Sequence, residues 1–130
     1  MIKINPIVES FLHNNGFSLT ESSDNGRLQI YFTDKVKVKI VNDYNGFEYF
    51  EIGSPNFNDR WDWLDLAYVR SIVLNNEDYM KALDTKDAAD FIVNHYRDIV
   101  NFVDKVSFVS NKSKVEQLQK HKTNIKYGPR

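Results

Sequence analysis

The chain contains no cysteine, which excludes disulfides and thiolate metal centres and fits a reducing compartment. It has only five glycines, and neither Gly-rich phosphate-binding pattern occurs among them. Gly53-Ser54-Pro55 lacks the surroundings of a nucleophile elbow. His13, His95 and His121 are far apart and show no H-x-x-x-H spacing, so the sequence does not predict a metal site. No stretch approaches the roughly 20 apolar residues of a membrane span. Met1-Ile-Lys-Ile-Asn-Pro6 has no basic region followed by an apolar run, so no secretory leader is expected. There is no internal repeat or low-complexity tract. These absences predict a soluble cytoplasmic protein with no cofactor and no catalytic motif.

What is present is one domain's worth of chain, 130 residues and 15.3 kDa, enough to bury a core unaided. The formal charge of −1 hides an asymmetry. Residues 111–130 carry Lys112, Lys114, Lys120, Lys122, Lys126 and Arg130 against Glu116 alone, about +5, which leaves about −6 for residues 1–110. The expectation is a domain over 1–110 and a basic tail over 111–130, the tail a loosely docked helix or partly disordered. An acidic body disfavours phosphate binding and suits a basic partner.

Hydrophobic period organises the body. Pro6 to Asn14 reads as a helix, with Asn5 as its N-cap and Gly16 past its end. A first strand carries Phe17 and Leu19, and Ser22-Ser23-Asp24-Asn25-Gly26 has turn composition. Leu28, Ile30 and Phe32, then Val36, Val38 and Ile40, alternate at period two. Matching apolar to apolar sets Phe32 opposite Val36 through the loop Thr33-Asp34-Lys35. The same rule turns the next hairpin through Asp43-Tyr44-Asn45 and sets Val38 opposite Phe50, Val36 opposite Ile52 and Lys37 opposite Glu51, with Ile40 against Glu48 as its weak point. The other face would carry Gln29, Tyr31, Lys37, Lys39, Val41, Phe47 and Tyr49.

After a loop, Asp59 is expected to cap a helix whose stripe includes Leu66, Val69 and Val73, stopped by Asn75-Asn76. Tyr79 to Leu83 reads as a short turn. Asp84 then opens the longest helix, with Ala88, Phe91, Ile92, His95, Tyr96, Ile99, Phe102, Val103 and Val106 along one face. His95 is expected there as a buried or half-buried residue with one hydrogen bond. The fold class is therefore α+β: two layers, an N-terminal helix, a four-stranded antiparallel meander, and C-terminal helices on its Leu28/Val38/Phe50 face.

Chemistry-bearing residues cluster after the fourth strand. Phe57, Asp59, Trp61, Asp62, Trp63 and Asp65, with Glu48 and Glu51 before them, combine aromatics with carboxylates, the composition of a contact surface for a basic protein. Convergence of Glu48, Glu51, Asp62 and Asp65 would instead suit a divalent cation and phosphodiester hydrolysis. Acids in a first helical turn have a simpler role as caps, and Asp59 with Asp62 imitates a capping box. A third reading is single-stranded nucleic-acid binding through the basic tail and the Tyr31, Phe47, Tyr49 face.

The order of these elements, with Glu51-Ile52-Gly53, a Pro/Asn loop, Trp61-Asp62-Trp63-Leu64-Asp65-Leu66 and a long amphipathic helix, resembles the small α+β immunity proteins encoded beside bacterial toxins. The resemblance implies a non-catalytic binder that neutralises a basic protein such as a nuclease toxin. The basic tail departs from that pattern.

Overall fold

The computed structural model describes residues 6–23, 27–42 and 47–127. The expected Asn5 cap, the tip Asp24-Asn25-Gly26 and the turn residues Asp43 to Gly46 lie outside them. The architecture is α+β, with helix α1 (Pro6–Asn14), strands β1 (Ser18–Ser23), β2 (Leu28–Phe32), β3 (Lys37–Asn42), β4 (Glu48–Gly53) and β5 (Leu64–Asp65), then helices α2 (Leu66–Leu74), α3 (Thr85–Asn94), α4 (Tyr96–Phe102) and α5 (Phe108–Tyr127). The strands form one antiparallel sheet in sequence order.

Helix α1 buries Val8 and Leu12 and ends where Gly16 takes φ of 76°, a left-handed conformation that favours glycine. β1 runs through Ser22 and Ser23, which were expected in the turn, and has a register break between Leu19 and Glu21. Such a bulge twists an edge strand away from further pairing.

The sheet corrects the expected hairpin registers. In β2–β3, Phe32 pairs with Lys37 and Tyr31 with Val38. The cause is the turn. Thr33 Oγ1 accepts from the Lys35 and Val36 amides at 3.2 and 3.1 Å, and the Thr33 amide donates to the Val36 carbonyl at 3.0 Å. This closed threonine turn takes Val36 into the loop, and Val36 still reaches the core from there, fully buried. One residue of shift reverses the strand's faces. Gln29 and Tyr31 therefore point into the core, Tyr31 donating to Gln29 Oε1 at 3.4 Å, while Leu28 and Ile30 are half-buried and Phe32 exposed on the outer face.

In β3–β4, Ile40 pairs with Phe50, Val38 with Ile52 and Lys39 with Glu51. This register slides two residues from the expected one, so every side chain keeps its face. It also sets Asn42, rather than Ile40, opposite Glu48. The covered face thus presents Tyr31, Val38, Ile40, Phe50, Ile52 and Leu64 to the helices. It is the Tyr31/Val38/Phe50 face, not the Leu28 face.

The expected helix from Asp59 divides into three parts. A 3-10 turn, Arg60–Asp62, is followed by extended Trp63 and by β5, and only then does Asp65 cap α2 through the Ala67 amide at 2.9 Å. Two caps within one segment interrupt the helix, because each Asp competes for a backbone start of its own. α2 stops at Asn75, which is left-handed with φ of 55°. The Ser71 hydroxyl, buried, accepts the Tyr79 amide at 2.8 Å and fixes the following 3-10 turn Asp78–Met80.

The helix opened by Asp84 is not continuous. It breaks at His95, whose φ and ψ are −123° and 28°. Half-buried His95 stacks on Phe91 at 5.2 Å and pairs with Asp98 at 3.0 Å. The bend lets Ala88, Ala89, Phe91 and Ile92 of α3 and Ile99 and Phe102 of α4 all reach the core, while Val106 falls in a turn and is exposed. The longest helix is α5, of 20 residues. It buries Phe108 and Val115, with Leu118 half-buried behind them.

The register makes a direct prediction. Ile40→Ala should cost about 2–5 kcal/mol by urea unfolding, as a fully buried isoleucine does, whereas Ile30→Ala on the outer face should cost about 1 kcal/mol. Equal losses would restore the register that apolar matching alone selects.

Candidate functional site

The segment between β4 and α2 is built by its acids. Asp59 Oδ1 accepts the Trp61 amide at 3.2 Å, and Asp62 Oδ2 accepts the Asp59 amide at 3.0 Å, a reciprocal capping box. The other oxygen of Asp62 accepts Lys112 Nζ of α5 at 2.8 Å. The Lys112 bond is the main reason the Asp62 carboxyl titrates below its ordinary range, and the same bond raises the Lys112 ammonium.

Within this frame the two tryptophans differ. Trp61 projects outward, 67% exposed, with the Arg60 guanidinium 4.6 Å from its ring centroid. Trp63 is half-buried against the outer sheet face, with the ammoniums of Lys37 and Lys39 at 4.8 and 4.6 Å from its ring. Gly53 sits closely between Lys37 and the Trp63 ring. A Cβ there would lie 3.3 Å from Lys37 Cε and 3.4 Å from the Trp63 ring. Lys37 is buried and donates to the Phe57 carbonyl at 3.0 Å and to Asn58 Oδ1 at 3.2 Å. Burial lowers its pKa, partly countered by Asp62. Lys39 pairs with Glu51 at 3.3 Å.

A groove of about 470 Å³ opens between this segment and α5, with Glu51, Trp61, Trp63, Lys112 and Glu116 on its walls. Of the residues singled out in the sequence, Glu51, Trp61 and Trp63 line it, Asp59 and Asp62 hold its rim, and Asp65 lies beside Glu51 across the β4–β5 pairing. Glu48 is buried on the opposite, helix-covered face of β4. Phe57 is half-buried and stacks on Phe108 at 4.7 Å, so it packs α5 against the body.

Asp62 and Asp65 do not share a helical face, because one closes the 3-10 turn and the other caps α2. Among the described residues, no group of three or more His, Asp or Glu side chains is placed to hold a metal ion. Tyr31 leaves the expected aromatic face for the core, while Tyr49 remains 51% exposed with the Phe47 ring tilted against it, centroids 4.7 Å apart. No helix among the described residues is long and apolar enough to cross a membrane.

Sequence reasoning gave Arg60 no role, and it placed Lys37 on the outer sheet face and Lys112 in the basic tail without bringing either to this segment. For Lys112 a signal existed. An acidic body that prefers a basic partner finds one in its own tail: Lys112 reaches Asp62, and Lys122 donates to the Tyr79 carbonyl at 3.2 Å and lies 6.0 Å from the Tyr68 ring.

Two titrations test the electrostatics. The Asp62 pKa is lowered in the fold, so its pairing stabilises above the unfolded carboxylate value and that stability is lost as pH falls through the folded one. Lys112→Met should therefore cost about 1 kcal/mol at neutral pH, given the pair's partial exposure, and the deficit should shrink in acid. Asp65 has the opposite sign. Burial raises its pKa, with Glu51 adding to the rise, so its ionisation costs the folded state stability as pH climbs through the folded pKa. Asp65→Asn keeps a capping oxygen, and thermal unfolding should show a variant at least as stable as the parent at pH 7, with any advantage gone in acid.

Comparison with protein-family models, with curated proteins and with solved structures finds no match.

Proposed function

We propose that the protein is a non-catalytic protein-binding module that engages its partner through the Arg60-Trp61 tip and the groove beside it. The observation that carries the reading is Trp61, held out into solvent on a capped turn. Exposed indole is costly to leave unused. A mostly exposed tryptophan offers roughly 150 Å² of apolar surface, and at about 25 cal/mol per Å² a partner that covers it gains on the order of 3–4 kcal/mol. A rigid presentation adds little ordering cost on binding, and tryptophan with arginine is the usual composition of an interface hot spot.

The immunity-type role implied by the resemblance fits this geometry. Stoichiometric neutralisation needs a stable, preformed anchor and no catalytic group. The charge of the body favours a basic target, although the segment's own acids contribute less than their number suggests. Asp59, Asp62 and Asp65 cap backbone amides, and Asp62 is also paired with Lys112. The aromatic tip is thus the main anchor, and the acids mainly shape it. Nucleic-acid binding draws less support, since Lys37 is buried and Lys39 is paired with Glu51 on the sheet face that reading requires.

The test begins with the full chain as bait in native lysate treated with nuclease. The retained protein is then made pure, and its affinity is measured against the parent and Trp61→Ala. The expected result is a loss of more than about 2 kcal/mol in binding, with a melting temperature within a few degrees of the parent, because the indole is exposed. Unchanged affinity, or no retained protein, would overturn the reading.

A further inference from the structure

A second cavity lies away from the tryptophan segment, where the end of α1, the β2–β3 turn and α4 meet. Its volume is about 570 Å³, within the span of small-molecule sites, roughly 300–1,000 Å³. The Trp61 surface contributes none of its walls.

The walls are fixed by contacts within the fold. Thr33 closes its turn with its own hydroxyl, as described above, and the same hydroxyl donates to the Val36 carbonyl at 3.2 Å. Tyr96 packs edge-on against Phe11 at 5.3 Å and Phe17 at 6.0 Å, and the Thr33 hydroxyl is near enough to its phenol to oppose the rise in pKa that burial causes. Asn15 is fixed by donating its side-chain amide to the Phe11 carbonyl at 2.9 Å. The cleft is therefore preformed, with the Tyr96 ring and half-buried Val100 as its apolar part.

Its polar groups are unusual for this chain. Arg27 donates to the Asn42 carbonyl, Arg60 stacks on Trp61 and Arg70 pairs with Asp78. Arg97, in the cleft, has no such partner among the described residues. Lys35 stands across the same opening and is likewise unpaired there, and the Asn101 amide adds a donor. Asp34 is the single carboxylate, near enough to Tyr96 to raise its pKa slightly beyond the effect of burial. Two cations and one anion leave the cleft about one charge positive.

We propose that this cleft binds a small anionic molecule, a carboxylate or phosphomonoester that also bears an amine or hydroxyl. Arg97 and Lys35 take the anionic group, since a guanidinium can grip a carboxylate or phosphate with two parallel hydrogen bonds. Asp34 accepts from the amine or hydroxyl, and Tyr96 with Val100 covers the carbon body. The requirement for a donor on the ligand distinguishes this site from a simple anion hole. A bare anion meets the repulsion of Asp34 with nothing to offset it.

The experiment is amide-resonance titration of the full chain with three probes, O-phosphoserine, glutamate and inorganic phosphate, each to 10 mM at about 150 mM salt. The expected result is saturable shifts confined to residues 15, 33–35 and 96–101 for O-phosphoserine or glutamate, at least tenfold weaker for inorganic phosphate. Arg97→Gln should weaken the response at least tenfold without changing the melting temperature, because Arg97 is exposed and unpaired. Absence of localised shifts with all three probes would overturn the proposal. So would an undiminished response in Arg97→Gln, which would mark a general ionic effect, or equal binding of inorganic phosphate, which would remove the role of Asp34.

Discussion

The carboxylate of Asp62 carries two obligations at once. One oxygen closes the capping box over the 3-10 turn, and the other holds Lys112 of α5. The turn sets the direction of Trp61, and the lysine bond helps set where α5 lies, so both bonds shape the groove between them. A single ionised group couples local backbone geometry to tertiary packing. Its partial burial, with the side chain 12% exposed, makes the coupling stronger than a solvent-facing ion pair would be. Phe57 on Phe108 supplies the apolar half of the same junction. Buried Val115, the Asn111 bond to the Phe102 carbonyl and the Lys122 bond to the Tyr79 carbonyl hold the same helix at further points.

Elements with a single strong signal were legible in the sequence. Helix α1 with Gly16 at its end, the antiparallel strand order, the Asn75 stop and the Asp84 cap all rest on local chemistry that tertiary structure leaves intact. What was illegible is where two rules compete. Apolar matching favoured Phe32 opposite Val36, but the Thr33 side-chain turn decided the register, and the cost was small because Val36 buries from the loop and Tyr31 replaces Ile30 in the core. A tyrosine serves there because its ring fills space while its hydroxyl reaches Gln29. In β3–β4 the slide of two residues preserves every face, so periodicity could not detect it. The long helix failed for a similar reason. The spacing of Phe91, Ile92, Ile99 and Phe102 satisfies one helix or two, and the bend at His95 is invisible to a pattern that its own residues continue.

The candidate site was half legible for a related reason. The sequence placed its aromatics and acids in one segment, but composition does not say whether a carboxylate faces a partner or its own backbone. In this fold the acids face inward on the segment's amides and on Lys112. Three of them lie within a seven-residue stretch that makes two separate N-terminal starts, Asp59 before the 3-10 turn and Asp65 before α2. Each start leaves backbone amides that an acid can satisfy. The acid density therefore follows from the architecture, and specificity for a partner is left to the groups that the architecture does not consume, Arg60 and Trp61 above all.

The charge division along the chain takes on a different meaning once α5 is in place. An acidic body of about −6 and a basic stretch of about +5 look like two objects with different partners. The bonds from Lys112 and Lys122 show part of that charge being used within the chain, on the face of α5 that also buries Phe108 and Val115. These four residues fall at 108, 112, 115 and 122, spacings of three, four and seven that share one helical stripe. Lys114, Lys120 and His121 fall off that stripe and are exposed, and they carry no contact that the fold needs. Ile125 and Tyr127, 58% and 63% exposed, lie in the last turn of the helix. α5 is thus two things in sequence along one helix: a packed strut whose Lys112 neutralises Asp62 at the tryptophan segment, and a more exposed end where Lys126 lies over the Tyr127 ring.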